Sequence, residues 1–185
     1  AFGATSAGTE LALDIENGFL DRLLASPVAR IPILLGRLVG AAIVEGGKSL
    51  VIVVVFVLFG AEISGGTMVI PIIICMTCLL VLAIGGISQV LALHTGSQEA
   101  VTATFPLIFA GIFMSSAFFP TSLMSGWFQA VAENNPITWI IEPLRTLIVV
   151  GWSWTEVAKA LGVPAILAAV SVGAALTTLH RRLGK

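Results

Sequence analysis

Long apolar runs alternate with short polar stretches along the chain. The runs cover residues of about 31–60, 68–93, 100–118 and 156–179. Since a helix of about 20 apolar residues crosses the hydrocarbon core of a bilayer, each run is long enough or nearly so. The pattern predicts an all-α polytopic membrane protein with four complete transmembrane helices.

The third of these runs has two special positions near its start. Thr95 and Gln98, in the turn at 94–99, have the spacing of a capping box and predict the N-terminus of a helix. Pro106 then interrupts the run, because proline lacks the amide hydrogen that a helix interior uses.

A short amphipathic helix is predicted at residues 15–26, between two membrane-spanning segments. Its apolar residues recur at helical spacing, and Pro27 ends it. Its charge is mixed, so anionic lipid would attract it weakly, and an apolar ridge with acidic flanks suits a groove on a cytosolic protein. Residues 1–13 are too short to span and are expected to be the tail of a preceding helix, in a chain whose N-terminal part is missing. The apolar ridge consists of Ile15, Phe19, Leu20, Leu23 and Leu24.

Residues 119–152 break the pattern of long runs. Asn134 to Pro136 separates an amphipathic stretch from an apolar one at 137–150, whose helix would reach only about 21 Å, short of a full span. Tryptophan prefers the headgroup level of a membrane, and this stretch and its end carry all of the tryptophans. We therefore expect a re-entrant or interfacial helical hairpin. The tryptophans are Trp127, Trp139, Trp152 and Trp154.

Composition agrees with a membrane protein and excludes other classes. Of 185 residues, 57% are hydrophobic and 10% charged, the net charge is −1, and the mean hydropathy is +1.06. Soluble domains average about 25% charged residues. A disordered chain, a basic nucleic-acid-binding domain and most soluble enzymes are excluded, and no nucleic acid partner is expected.

The basic residues predict an orientation. Most of them fall on one side of the predicted spans, whereas the other side holds mainly Arg145 and Lys159. Basic loops favour the cytosolic side, so the amphipathic helix and the C-terminus are expected in the cytosol and the hairpin outside. The cytosolic set is Arg22, Arg30, Arg37, Arg181, Arg182 and Lys185.

Motifs for catalysis are weak. Gly47-Lys48-Ser49 resembles the end of a phosphate-binding loop, but Ala42 stands where that loop needs glycine, and the setting is an apolar helix. Cys75 and Cys78 lie on one helix face in apolar surroundings, which favours packing over redox chemistry or metal binding. No catalytic set and no metal site is predicted, so we expect neither an enzyme nor a resident cofactor.

Glu45 and Lys48 form a predicted charge pair inside the membrane. They are i, i+3 neighbours in the cytosolic half of the first span. Intramembrane charges by default indicate a functional site, yet a structural pair at the cytosolic mouth explains these two equally well.

The residues at 16–30, followed by Leu35-Gly36-Arg37, resemble the type-2 ABC transporter permease family. The likeness is nearest to drug-export permeases of the daunorubicin/doxorubicin-resistance type, and Asn135-Pro136, Pro143-Leu144-Arg145 and Gly151 resemble the family's C-terminal segment. It covers nearly the whole chain, as a single, N-terminally truncated permease domain.

The resemblance implies a transport mechanism and partners. Residues 15–26 would be a coupling helix that docks into a separate P-loop ATPase subunit, which would supply ATP and Mg²⁺, and a second permease copy would complete a dimer. The substrate would be a hydrophobic drug, antibiotic or lipid, exported across the bacterial inner membrane, and membrane lipids would surround the protein. The matching docking residues are Glu16, Gly18, Leu20, Leu23 and Pro27; those of the re-entrant hairpin are Trp127, Asn135, Pro136, Glu142 and Arg145.

Two alternatives stay open at this point. An ion-coupled secondary carrier would need no ATPase but would need acids within several spans, and Glu62 and Glu99 lie at turns instead. A membrane scaffold would tolerate loss of the hairpin and show no flux. The amphipathic helix separates the carrier from the permease, since a carrier does not need it.

Overall fold

The computed structural model describes residues 2–19, 22 and 30–183, and within these ranges the chain forms helices without a strand. A short 3₁₀ turn covers Thr121–Leu123. The helices are α1 (Phe2–Glu16), α2 (Arg30–Leu58), α3 (Val69–Thr95), α4 (Gln98–Thr102), α5 (Phe105–Phe113), α6 (Gly126–Glu133), α7 (Pro136–Val149) and α8 (Trp154–Leu183).

Among the described residues, three helices are long and apolar enough to cross a membrane. They cover Ile31–Leu58, Val69–Thr95 and Trp154–Arg181, close to three of the four predicted spans. Large apolar side chains such as Ile43, Phe56 and Val170 are exposed along them. Exposed apolar surface of this extent is expected on helices surrounded by lipid.

The predicted third span, 100–118, is not one continuous helix. Two short helices, α4 and α5, are separated by a turn in which the Thr104 amide donates to the Val101 carbonyl at 3.2 Å. Pro106 explains the break, because it cannot donate to the preceding turn. Helix α5 also ends at Phe113, so a fourth membrane crossing stays a prediction.

The predicted hairpin at 119–152 is helical, with a break where the sequence places it. Helix α6 ends at Glu133, Asn134 is its C-cap, and α7 begins at Pro136 with Asn135 as N-cap. Proline suits the first position of a helix because its missing amide hydrogen has no partner there anyway. The position of these helices in a membrane stays a prediction.

The start of the predicted coupling helix differs from the sequence interpretation. Ile15 and Glu16 belong to α1, which runs from Phe2 to Glu16 instead of ending near residue 13. The chain turns at Gly18, whose φ of +66° is a conformation that favours glycine, and Arg22 N then donates to Gly18 O at 3.3 Å. Any helix in this segment therefore begins after Gly18. The predicted docking residues Leu20, Leu23 and Pro27 lie outside the described residues.

The chain divides into two compact units, and the first comprises Ala1–Glu45, Cys78–Phe105 and Ala165–Lys185. Helix α1 packs there against parts of α2, α3 and α8. Glycines bring the helices close together, since a Cβ on Gly86 would lie 2.9 Å from the Ser171 carbonyl carbon, and one on Gly8 would lie 2.7 Å from that of Ser88. The larger buried cluster is formed by Leu11, Ala12, Leu34, Ala92, Leu93, Val101, Ala175 and Leu179.

The second unit comprises Gly46–Thr77 and Pro106–Pro164. Its core joins the start of α3, the end of α7 and the start of α8 through Val69, Leu147 and Val157. The loop before α3 is fastened to α7, because Ser64 N donates to Ile148 O at 2.9 Å. This unit also contains α6 and nearly all of α5, so it holds the part of the chain where short helices replace a long one.

Candidate functional site

An ion pair closes the base of the segment that joins α1 to α2. Arg37 of α2 donates to the Asp14 carboxylate of α1, and each side chain is about a fifth exposed, at 21% and 22%. Partial burial shields the pair from water, so it is stronger than a fully exposed one. The last turn of α1, which precedes the segment predicted to dock a partner, is therefore tied to α2 seven residues after that helix begins.

Glu16 provides a second tie at the same base. Its Oε1 accepts from the Gln98 amide of α4 at 2.7 Å. A carboxylate at the first turn of a helix satisfies an amide that has no helical partner. Glu16, predicted to dock a partner, thus contacts another part of its own chain.

The cap of α4 is Ser97, and the predicted capping box of Thr95 with Gln98 is wrong. The Ser97 side chain accepts from Ala100 N at 3.5 Å, whereas Thr95 Oγ1 accepts from Ser97 N. Thr95 still lies inside α3, so it cannot have the extended backbone of an N-cap.

An open cavity of about 690 Å³ adjoins this base. Its lining is polar and acidic. It is formed by Glu16, Ser97, Gln98, Glu99, Thr102 and Ala103.

Glu45 contacts α1. Its half-buried carboxylate occupies the place where a side chain on Gly3 would begin, so Gly3 leaves the room that Glu45 fills. Lys48 is exposed on the same helix. The predicted pair of Glu45 with Lys48 stays a prediction.

Polar side chains of α7 contact the broken end of α5. Asn135 uses both ends of its amide, since Oδ1 accepts from Ile137 N at 2.9 Å and Nδ2 donates to Gly111 O at 2.8 Å. The Gly111 carbonyl needs this donor because Ser115 N donates to Ile112 O at 3.1 Å instead of continuing the helical ladder.

Two further side chains of α7 bind the backbone of Ser116. Thr138 Oγ1 accepts from Ser116 N at 3.0 Å, and Arg145 donates to Ser116 O. Arg145 Nη1 also donates to Glu142 Oε1 at 3.0 Å, which orients the guanidinium. Asn135, Glu142 and Arg145, predicted from sequence as residues of the hairpin, thus take part in contacts between α7 and the end of α5.

The corner between α6 and α7 is held by Trp139, whose indole nitrogen donates to Glu133 O at 2.7 Å. Trp127 of α6 is 71% exposed and packs edge-on against Phe128. Exposed indole rings at such a corner suit the lipid headgroup region.

Sequence reasoning missed the buried polar residues, of which Gln89, Thr138 and Ser116 make contacts between helices or lie at their ends. Gln89 is fully buried in α3 and donates to Leu34 O at 3.2 Å, while its Oε1 has no partner among the described residues. Thr138 and Ser116 are also buried. For Gln89 the available signal was a lone amide within an apolar span, since polar residues in membrane helices are rare and usually face protein.

Comparisons with known proteins agree with one another. Residues 1–149 match the family described as ABC-2 type transporter. Relatives named transport permease ycf38 are 29% identical over 147 residues in Cyanophora paradoxa (78% of this chain and 50% of the relative) and 30% identical over 161 residues in Pyropia yezoensis (83% and 54%). A third, from Porphyra purpurea, is 27% identical over 161 residues, with the same coverage of 83% and 54%. The chain spans about half the length of these relatives, and no solved structure matches it.

Proposed function

This chain belongs to the ABC-2 type transporter family, as a membrane subunit, and from that premise we propose that it is the permease of an ATP-driven exporter. The observation that carries the proposal is the family match over residues 1–149. That match includes the segment between α1 and α2, where the partner is proposed to dock.

Anchoring of this segment supports its role in coupling. Asp14 ties its start to Arg37 of α2, and Glu16 ties it to Gln98 of α4. A partner that pushes on the segment would therefore act on α1, α2 and α4 together. Packed helices shift between discrete arrangements, which is how such a push would switch the exporter between its open states.

ATP hydrolysis is assigned to a separate P-loop ATPase subunit. Gly47-Lys48-Ser49 lies inside the continuous helix α2. Phosphate-binding loops need free backbone amides in a glycine-rich turn, and the amides of a helix interior are already used. ATP and Mg²⁺ would accordingly reach the transporter through the partner, and this chain would itself be no enzyme.

The proposed arrangement in the membrane follows the basic residues. The base formed by Asp14 and Arg37 and the C-terminus lie in the cytosol. Residues 100–118 form the third of four crossings, and the hairpin of α6 and α7 re-enters from outside. The membrane is the bacterial inner membrane, and two copies of the chain form the pathway.

The substrate class is proposed to be hydrophobic, such as a drug, an antibiotic or a lipid. Ten phenylalanines and no tyrosine support an apolar pathway, because phenylalanine offers a ring without a hydrogen-bonding group.

The test is co-purification of the full-length protein from native membranes in mild detergent, with the ATPase activity of the bound material measured. Leu20→Asp places a charge on the proposed apolar ridge, and Leu20→Ile keeps the ridge apolar. We expect an ATPase with the wild-type protein and with Leu20→Ile, and at least about a tenfold loss with Leu20→Asp, since charge burial at a docking groove costs more than about 1.4 kcal/mol.

Equal membrane levels of the three proteins are the control. An ATPase retained by Leu20→Asp would contradict docking through this ridge. No ATPase with any of the three, from membranes that keep other complexes intact, would contradict the exporter and favour a carrier or scaffold.

A further inference from the structure

We propose that Asn135, Thr138 and Arg145 form a polar clamp that fastens α7 to the broken end of α5, so that the two helices move as one body. The clamp is defined by their bonds to Gly111 and Ser116. Arg145 is its positioning residue, acting through the backbone and not on a substrate.

Helix α5 leaves backbone groups open at its C-terminal end. Helix α5 ends at Phe113, and residues 114–117 form turns. Ser116 is fully buried, so water cannot satisfy its backbone. An unsatisfied backbone group in apolar surroundings costs several kcal/mol, and irregular backbone at membrane depth requires partners within the protein.

Side chains of α7 supply hydrogen-bond partners for this open backbone. Asn135 donates to one carbonyl, Thr138 accepts from one amide, and Arg145 donates to another carbonyl. Each contact has the polarity that its target lacks. The three side chains are spaced over three turns of α7, so the clamp resists both sliding and rotation of this helix.

Helices α5 and α7 also lie close together at Gly111 and Ile137. A Cβ added to Gly111 would lie 3.4 Å from Ile137 Cδ1, which is van der Waals contact. Separation of α7 from α5 would therefore expose buried polar groups and break apolar packing at once. Both helices consequently open together or not at all.

Hydrogen exchange of the full-length protein in lipid nanodiscs tests the clamp. Arg145→Ala is compared with Lys159→Ala, which breaks a similar i, i+3 pair, Lys159 with Glu156, on α8. We expect Arg145→Ala to speed exchange by about tenfold or more in both α5 and α7, and by the same factor, because a bond to a charged group is lost. Lys159→Ala should change neither helix.

A covalent cross-link, the lock, tests whether α5 and α7 move as one body. It also shows whether Arg145→Ala acts by separating the two helices or by misfolding the protein. Gly111→Cys and Ile137→Cys are joined by a short bismaleimide, with Cys75 and Cys78 replaced by alanine. We expect the lock to return exchange of both helices in Arg145→Ala to within about twofold of wild type.

The lock also has a functional readout, which rests on the proposed function. ATP turnover by the reconstituted complex should survive the lock and be restored by it in Arg145→Ala. Exchange that rises in α7 alone, or in neither helix, would overturn the clamp. ATP turnover that stops on cross-linking would contradict the claim that α5 and α7 move as one body. If no ATPase accompanies the chain, the exporter fails and the exchange experiment still decides the clamp.

Discussion

Two helix contacts, one in each unit, are held by different means. In the first unit, regular helices approach closely at small residues, as at Gly86 and Ser171. In the second, helix α5 ends at Phe113, and polar side chains of α7 satisfy the backbone left open at that end. A chain in lipid must satisfy every backbone group internally, and it does so either with unbroken helices or with dedicated side chains. Mutations at the first contact should therefore lower stability by steric clash, and mutations at the second by loss of hydrogen bonds.

Gly86→Leu should give the largest effect, since it attacks packing in the first unit. A Cβ there would lie 2.9 Å from the carbonyl carbon of Ser171, and backbone cannot move aside as a flexible side chain can. We expect destabilisation of about 3 kcal/mol or more, above the usual range for overpacking. Thermal unfolding followed by size-exclusion chromatography in detergent measures it.

The matched control is Gly162→Leu in α8. A Cβ at Gly162 meets no atom within 4 Å, so the larger side chain has room. Equal loss of the folded protein in both variants would show that glycine flexibility, and not close approach, matters in these helices.

Thr138→Val tests the second unit by removing one acceptor at almost constant volume. Ser116 N would lose its partner while it stays buried. A buried donor without a partner costs roughly 1–3 kcal/mol, and we expect a loss of stability in that range. Thr146→Val is the control, because Thr146 Oγ1 donates to Glu142 O within its own helix and that carbonyl has a helical partner as well. A similar loss in both variants would contradict a special role for the Ser116 amide.

The sequence predicted the regular part of the fold better than the broken part. Apolar length is enough to predict α2, α3 and α8, because bilayer thickness sets the length of a spanning helix. Pro106 predicted the break between α4 and α5, and Asn134 and Asn135 predicted the break between α6 and α7. Proline and asparagine both interrupt helices through local backbone effects.

Contacts between distant residues were beyond sequence reasoning. Asn135 and Arg145 were singled out as members of a hairpin, yet their partners, Gly111 and Ser116, carry no signal in the sequence because the bonds go to backbone atoms. Glu16 was likewise assigned to a partner protein when its carboxylate contacts Gln98 N. Charge and spacing identify polar side chains that need a partner, but only the fold selects that partner.

Gln89→Met should give the smallest effect and sharpen the contrast, because it removes a polar contact between closely packed helices of the first unit. Gln89 donates to Leu34 O at 3.2 Å, but its buried Oε1 has no partner among the described residues. Hydrogen bonds between membrane helices average about 0.6 kcal/mol, and removal of an unsatisfied acceptor offsets that loss. Methionine fills nearly the same volume, so we expect a stability within about 1 kcal/mol of wild type in the same unfolding assay. A loss above about 2 kcal/mol, as large as that of Thr138→Val, would show that the packed helices of the first unit depend on a buried side-chain hydrogen bond as strongly as α5 and α7 do.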